Sequence, residues 1–156
     1  MIGRMSVPTA LREVKSMPIL NYTTKISAAK TVGEIQEILA KHGASKIMID
    51  YDNGTPVAVS FQIMTPYGVQ ACRLPANAAG ATKAMREDGV KADDAQGCRV
   101  AWRICKDWIE AQMAFIKARQ AELSQVFLPY TVNHDGATVY ELYQQQRLML
   151  TDAEGE

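Results

Sequence analysis

Hydrophobic positions recur with two different periods along this chain, and the switches between them divide it into elements. Between residues 45 and 51 the side chains alternate, with Ile47, Ile49 and Tyr51 on one side and Lys46, Met48 and Asp50 on the other, which predicts a half-buried strand. Asp52-Asn53-Gly54 supplies residues that accept the positive φ angles of a tight hairpin, after which Val57, Val59, Phe61 and Ile63 resume the period of two. Thr65-Pro66-Tyr67-Gly68 turns the chain again into residues 69–74, so three strands form an antiparallel meander. A short alternating, β-branched run at 21–26 (NYTTKI) predicts one more strand ahead of them, joined to the meander through a helix and therefore parallel to its neighbour with a right-handed crossover.

That helix is signalled by Thr31 and Glu34, spaced as a capping box, by Val32, Ile35, Ile38 and Leu39 at helical spacing, and by His42-Gly43 as a stop. Asn77 predicts a cap for a second helix over 78–88, which Gly89 ends. Asp93 or Asp94 opens the longest element, read as continuing to about residue 125. On a wheel of about 100° per residue, Ala101, Ile104, Cys105, Trp108, Ala111, Phe115, Ile116 and Leu123 fill one arc, and Arg99, Arg103, Lys106, Glu110 and Lys117 the other. Phe127-Leu128-Pro129-Tyr130 breaks the pattern, and residues 139–150 form a last amphipathic helix with Leu142, Tyr143 and Leu148 spaced for contact. The expected fold is α+β: a four-stranded mixed sheet (β-α-β-β-β) with helices on one face, a long central helix and a C-terminal helical arm. Residues 1–20 read as an N-terminal arm, 21–130 as a single domain, and 131–156 as the helical arm with an acidic tail.

Composition narrows the function classes. A chain of 156 residues with 47% hydrophobic content supports one core, and seventeen basic against seventeen acidic residues speak against a protein that coats polyanions by bulk charge. Three cysteines without CxxC spacing fit reduced thiols, and two histidines supply a zinc site poorly, so neither metal nor cofactor is expected. With no apolar run near the roughly 18 residues that span a bilayer, and no basic-then-apolar leader, a soluble cytoplasmic protein without a membrane partner is expected. No phosphate-cradling glycine motif occurs, and no Ser or Cys pairs with His42 or His134 in a pattern that suggests catalysis, so the chain reads as a binding protein rather than an enzyme.

Three surfaces are candidates for binding. Arg99, Arg103, Lys106 and Lys117 form a cationic stripe on the long helix with Trp102 at its edge, suited to phosphates, although a solvated face is the commoner meaning of such a stripe. The sheet face away from the helices carries Lys46, Met48 and Asp50 beside Ser60 and Gln62, with Arg73 or Gln70 from the third strand. Arg119 falls on the apolar arc three residues before Glu122, as an ion pair or as an anion-binding arginine of a cleft that would also draw on Arg73 and Lys46. The final helix and the open sheet face leave apolar surface that predicts a dimer or higher homo-oligomer.

From residue 21 onward the chain also resembles an uncharacterised family of small proteins encoded by bacteriophages, prophages and bacterial mobile elements. The stretches that carry the resemblance are KTVGEIQEILAKHGA (30–44), IDYDNGTPVAVSF (49–61), RLPAN (73–77), RVAWRICKDWIEAQ (99–112) and VFLPY (126–130). It implies no catalytic or binding residues, but it does imply an accessory role in the bacterial host. Joined to the basic stripe, it points to a phosphate-bearing partner, nucleic acid or a nucleic-acid-processing complex first, with anti-defence sequestration of a nucleotide or blocking of a host immune effector, or an assembly role, as alternatives.

Overall fold

In the computed structural model, which describes residues 17–146, the meander forms as its alternation dictates. Strands β1 (Ala44–Asp52), β2 (Thr55–Thr65) and β3 (Gly68–Pro75) pair antiparallel in that order. Asn53 and Gly54 both take positive φ, 49° and 78°, as a two-residue hairpin turn matched to strand twist requires. The helices are α1 (Ala28–Lys41), α2 (Ala78–Glu87), α3 (Asp94–Lys117), the single turn α4 (Leu123–Val126) and α5 (Val139–Gln146), with a 3-10 turn at Leu128–Tyr130.

Among the described residues the sheet has three strands, not four, and no parallel pair. Residues 20–23 form a turn in place of the expected leading strand. Asn21 is left-handed (φ 65°), Tyr22 N donates to Ile19 O at 3.2 Å and Thr24 N to Asn21 O at 3.0 Å. The carbonyls of Tyr22 and Thr24 both accept from Gln96 Nε2 at 3.0 Å, so a single side chain of α3 satisfies backbone that a neighbouring strand would otherwise have to pair. Helix α1 therefore starts from a turn, and it starts earlier than the Thr31–Glu34 spacing suggests. Ser27 is its cap, accepting from Lys30 N at 3.1 Å, while Thr31 is fully buried inside the helix.

Val32, Ile35 and Leu39 of α1 pack with Val59, Phe61 and Ile63 of β2, Cys72 and Leu74 of β3, and Trp102, Ile109 and Met113 of α3. The Phe127 ring meets Phe61 and Trp108 edge-on, at centroid distances of 5.3 and 5.7 Å. A second cluster joins Ala81 and Met85 of α2 to Val100 and Ala101 of α3. Helix α3 is thus enclosed by α1, α2 and the sheet along its first half, and a one-sided wheel misassigns it: Trp102, Ile109 and Met113 are buried, whereas Phe115 is 42% exposed. It also ends at Lys117, not near 125, because Arg119 turns left-handed at φ 61°. The arm expected over 1–20 lies outside the described residues up to residue 16, as do Leu148 and the acidic tail.

Candidate anion-binding face

One face of the sheet is covered by helices, and strand alternation sends the other set of side chains outward. Pairing aligns Met48, Ser60 and Arg73 in one row across the three strands, with Lys46, Gln62 and Ala71 in the next. Arg73, not Gln70, belongs to this face. Gln70 shares the parity of buried Cys72 and Leu74, a period-two signal already present in the sequence, and its amide donates to Thr131 Oγ1 and to Ser124 O.

Arg73 reaches diagonally from β3 to β1, where Nε donates to Asp50 Oδ2 at 3.3 Å. Both side chains remain partly exposed, 42% for Arg73 and 34% for Asp50, and the two Nη nitrogens make no hydrogen bond among the described residues. Segment 131–138 folds back along the β3 edge, with Val132 N donating to Ala71 O at 2.9 Å, and so walls the face on one side. Between that wall and β1 lies a shallow hollow of about 560 Å³ lined by Lys46, Met48, Asp50, Ser60, Gln62 and Arg73. Arg73 also lines an adjoining cleft of about 350 Å³ with Tyr130, Thr138, Tyr140, Glu141 and Gln144. Tyr140 is half-exposed and stacks on Tyr143 at 6.0 Å, and Tyr130 is held edge-on to Trp108 at 5.4 Å. These tyrosines were missed by sequence reasoning, since only the return of segment 131–138 to the sheet brings them beside Arg73.

The expected basic stripe is not an open cationic face. Trp102 is fully buried, its indole donating to Pro56 O at 3.0 Å. Arg103 lies inside the α1–α3 contact, where Nη1 pairs with Glu34 and donates to Thr31 Oγ1 at 3.3 Å, its side chain only 13% exposed. Lys106 is bound to Glu110 at 2.9 Å and lies 4.0 Å from Asp107, and Arg99 Nε donates to Gln96 Oε1 at 2.7 Å. Of the four cations Lys117 alone is exposed and forms no ion pair among the described residues. The expected Arg119 cleft divides in two. Lys46 and Arg73 meet in the sheet hollow, whereas Arg119 and Glu122 line a separate depression near Pro66. Both are exposed there and no ion pair joins them; Glu122 instead accepts from Tyr67 Oη at 3.4 Å, and its backbone N–H donates to Gln125 Oε1 at 3.4 Å.

The thiols are held in their neutral forms. Burial pushes Cys72 up to about 11, against a smaller lowering by its contact with Thr131, and pushes Cys105 up to about 11; Cys98 is also raised by burial, with the Arg99 charge opposing. His42 Nδ1 lies 2.7 Å from Ile38 O at the end of α1, and His134 is exposed in a turn. Among the described residues no group of three or more His, Cys, Asp or Glu could hold a metal ion, and no helix is long and apolar enough to cross a membrane. Comparison of the chain with protein-family models, with curated proteins and with solved structures returns no match.

Proposed function

We propose that this chain is a non-catalytic accessory protein that binds a phosphate-bearing partner, nucleic acid first, through the open sheet face around Arg73. One observation carries the reading: Arg73 stands where the sheet hollow meets the tyrosine-lined cleft, tethered through Nε while its Nη fork is unengaged by described residues. A guanidinium offers a fork of donors that matches phosphate oxygens, and Tyr130 and Tyr140 beside it supply the aromatic surface on which a base can stack. Lys46 adds a second cation at the rim, and Asp50 orients Arg73 at the cost of part of its charge. The neutral thiols support binding rather than nucleophilic chemistry. The resemblance to proteins of phages and mobile elements supports an accessory role in a bacterial cytoplasm.

A second reading, sequestration of a single nucleotide as an anti-defence device, is favoured by the size of the cleft, which lies within the range of small-molecule sites. Fluorescence anisotropy with a labelled single-stranded oligonucleotide, competed by free mononucleotides, separates the two. Wild-type protein is expected to bind at low salt, Arg73→Gln to weaken binding and reduce the salt slope by about one, and Lys117→Gln to leave both unchanged. Competition by mononucleotide at concentrations near those of the oligonucleotide would favour sequestration. Failure of the wild type to bind either probe at low salt overturns both readings.

A further inference from the structure

The outer edge of β1 carries a charge pattern that is its own complement, and the geometry points to a second copy of this chain as the partner of that edge. Among the described residues β2 is the only strand paired with β1, whereas the far edge of the sheet, on β3, is covered by Thr131 and Val132. The longest stretch of the β1–β2 ladder free of register shifts runs from Lys46 to Asp50, between irregularities at Ala44/Lys46 and Asp50/Tyr51. Met48 is the midpoint of that stretch and is 60% exposed. Opposite charges stand at its two ends on the same face.

When two copies of β1 pair antiparallel with Met48 opposite Met48, Lys46 of each chain faces the partner's Asp50, and Ile47 faces the partner's Ile49 on the inner side. Sliding one strand past the other by two residues sets Met48 opposite the partner's Lys46 or Asp50 and breaks the Lys46–Asp50 pairing, and sliding by four sets Lys46 on Lys46 or Asp50 on Asp50, which cross-strand pairing disfavours. Asp50 can serve both partners, since Oδ2 holds Arg73 while Oδ1 has no hydrogen bond among the described residues. The assembly closes at two chains, because the covered β3 edges cannot extend the sheet.

The two-fold axis has a consequence for the open face. Met48 pairs with Ser60 and Ser60 with Arg73, so the axis continues one row across six strands with an arginine at each end. At about 4.8 Å per strand step the two Arg73 backbones stand about 24 Å apart. Lys46 is then engaged by the partner and Arg73 remains the anion contact at each end. This goes beyond the proposed function, and its test uses no ligand, so the two can fail separately.

Light scattering on the full chain reads it. The wild type is expected at roughly twice its 17.2 kDa chain mass. Lys46→Glu and Asp50→Lys, each alone, are expected to raise the dimer dissociation constant by about tenfold or more. An equimolar mixture of the two variants is expected to restore the dimer, since every like-charge contact becomes an opposite-charge one. Should Asp50→Lys fail to fold beside Arg73, oxidation of Met48→Cys reads the same axis. It is expected to give an interchain disulfide, and Met64→Cys, on the same face but one strand further in, is not. A monomeric wild type, a dimer indifferent to both charge reversals, or crosslinking absent at Met48 or equal at both positions overturns the inference.

Discussion

Near its N-terminal end α3 carries a glycine inside the helix, where propensity favours alanine, and just past its C-terminal end an arginine stands in a left-handed conformation that favours glycine. At Gly97 a Cβ would lie 1.8 Å from Thr82 Oγ1 and 2.7 Å from Ala78 O, so α2 and α3 approach more closely than any side chain permits. At Arg119 the backbone closes the helix with Arg119 N donating to Ile116 O at 3.0 Å and Gln120 N to Phe115 O at 3.1 Å, while the side chain stays exposed. Where α1, α2 and the sheet enclose the helix, neighbours dictate the residue and override propensity. Where the helix runs clear of them, a local misfit costs little and persists.

The widest test of this contrast sets two aromatics against each other. Trp102→Ala is expected to cost roughly 3–5 kcal/mol in urea unfolding, because it empties a fully buried site and leaves Pro56 O without its donor. Phe115→Ala, at the clear end, is expected to cost less than about 1 kcal/mol. Similar losses at both would mean that the last turn of α3 is packed as tightly as its enclosed part.

Gly97→Ala comes next. Helix propensity alone forecasts a gain of up to about 1 kcal/mol, but the clash forecasts a loss of about 1–3 kcal/mol. Thr82 can rotate, yet the Ala78 carbonyl can move only with α2 itself. Thermal melts decide the sign, and a stabilised variant would refute the close approach.

These same contacts mark where the sequence was legible. The hairpin at Asn53-Gly54 and the outward set Lys46, Met48, Asp50, Ser60 and Gln62 could be read because turn chemistry and a period of two act between near neighbours. The run 21–26 could not, since alternating Tyr, Thr and Lys fit a turn as well as a strand, and the deciding group is Gln96 on another element. Arg103 was recognisable as a cation but not as the partner of Glu34, because a wheel with one buried side has no place for a helix enclosed by three neighbours. The spacing of Thr31 and Glu34 predicts a cap, but Ser27 caps the helix and Glu34 serves a tertiary ion pair with Arg103. The cleft beside Arg73 needed the return of segment 131–138, which no local pattern announces.

The smallest expected effect lies at the clear end of α3, and it has the opposite sign to the others. A non-glycine residue in the left-handed region is strained by roughly 1–2 kcal/mol, and Arg119 recovers none of that through an ion pair or hydrogen bond of its side chain among the described residues. Glycine relieves the strain but adds freedom to the unfolded chain, so Arg119→Gly is expected to raise stability by a net of about 0.5 kcal/mol, with the helix-ending hydrogen bonds intact. Arg119→Ala keeps the strain and removes only the side chain, so it is expected to change stability hardly at all. Comparing the two variants in denaturant isolates the backbone contribution. A loss of stability in Arg119→Gly matched by an equal loss in Arg119→Ala would show instead that the side chain itself holds the α3–α4 corner.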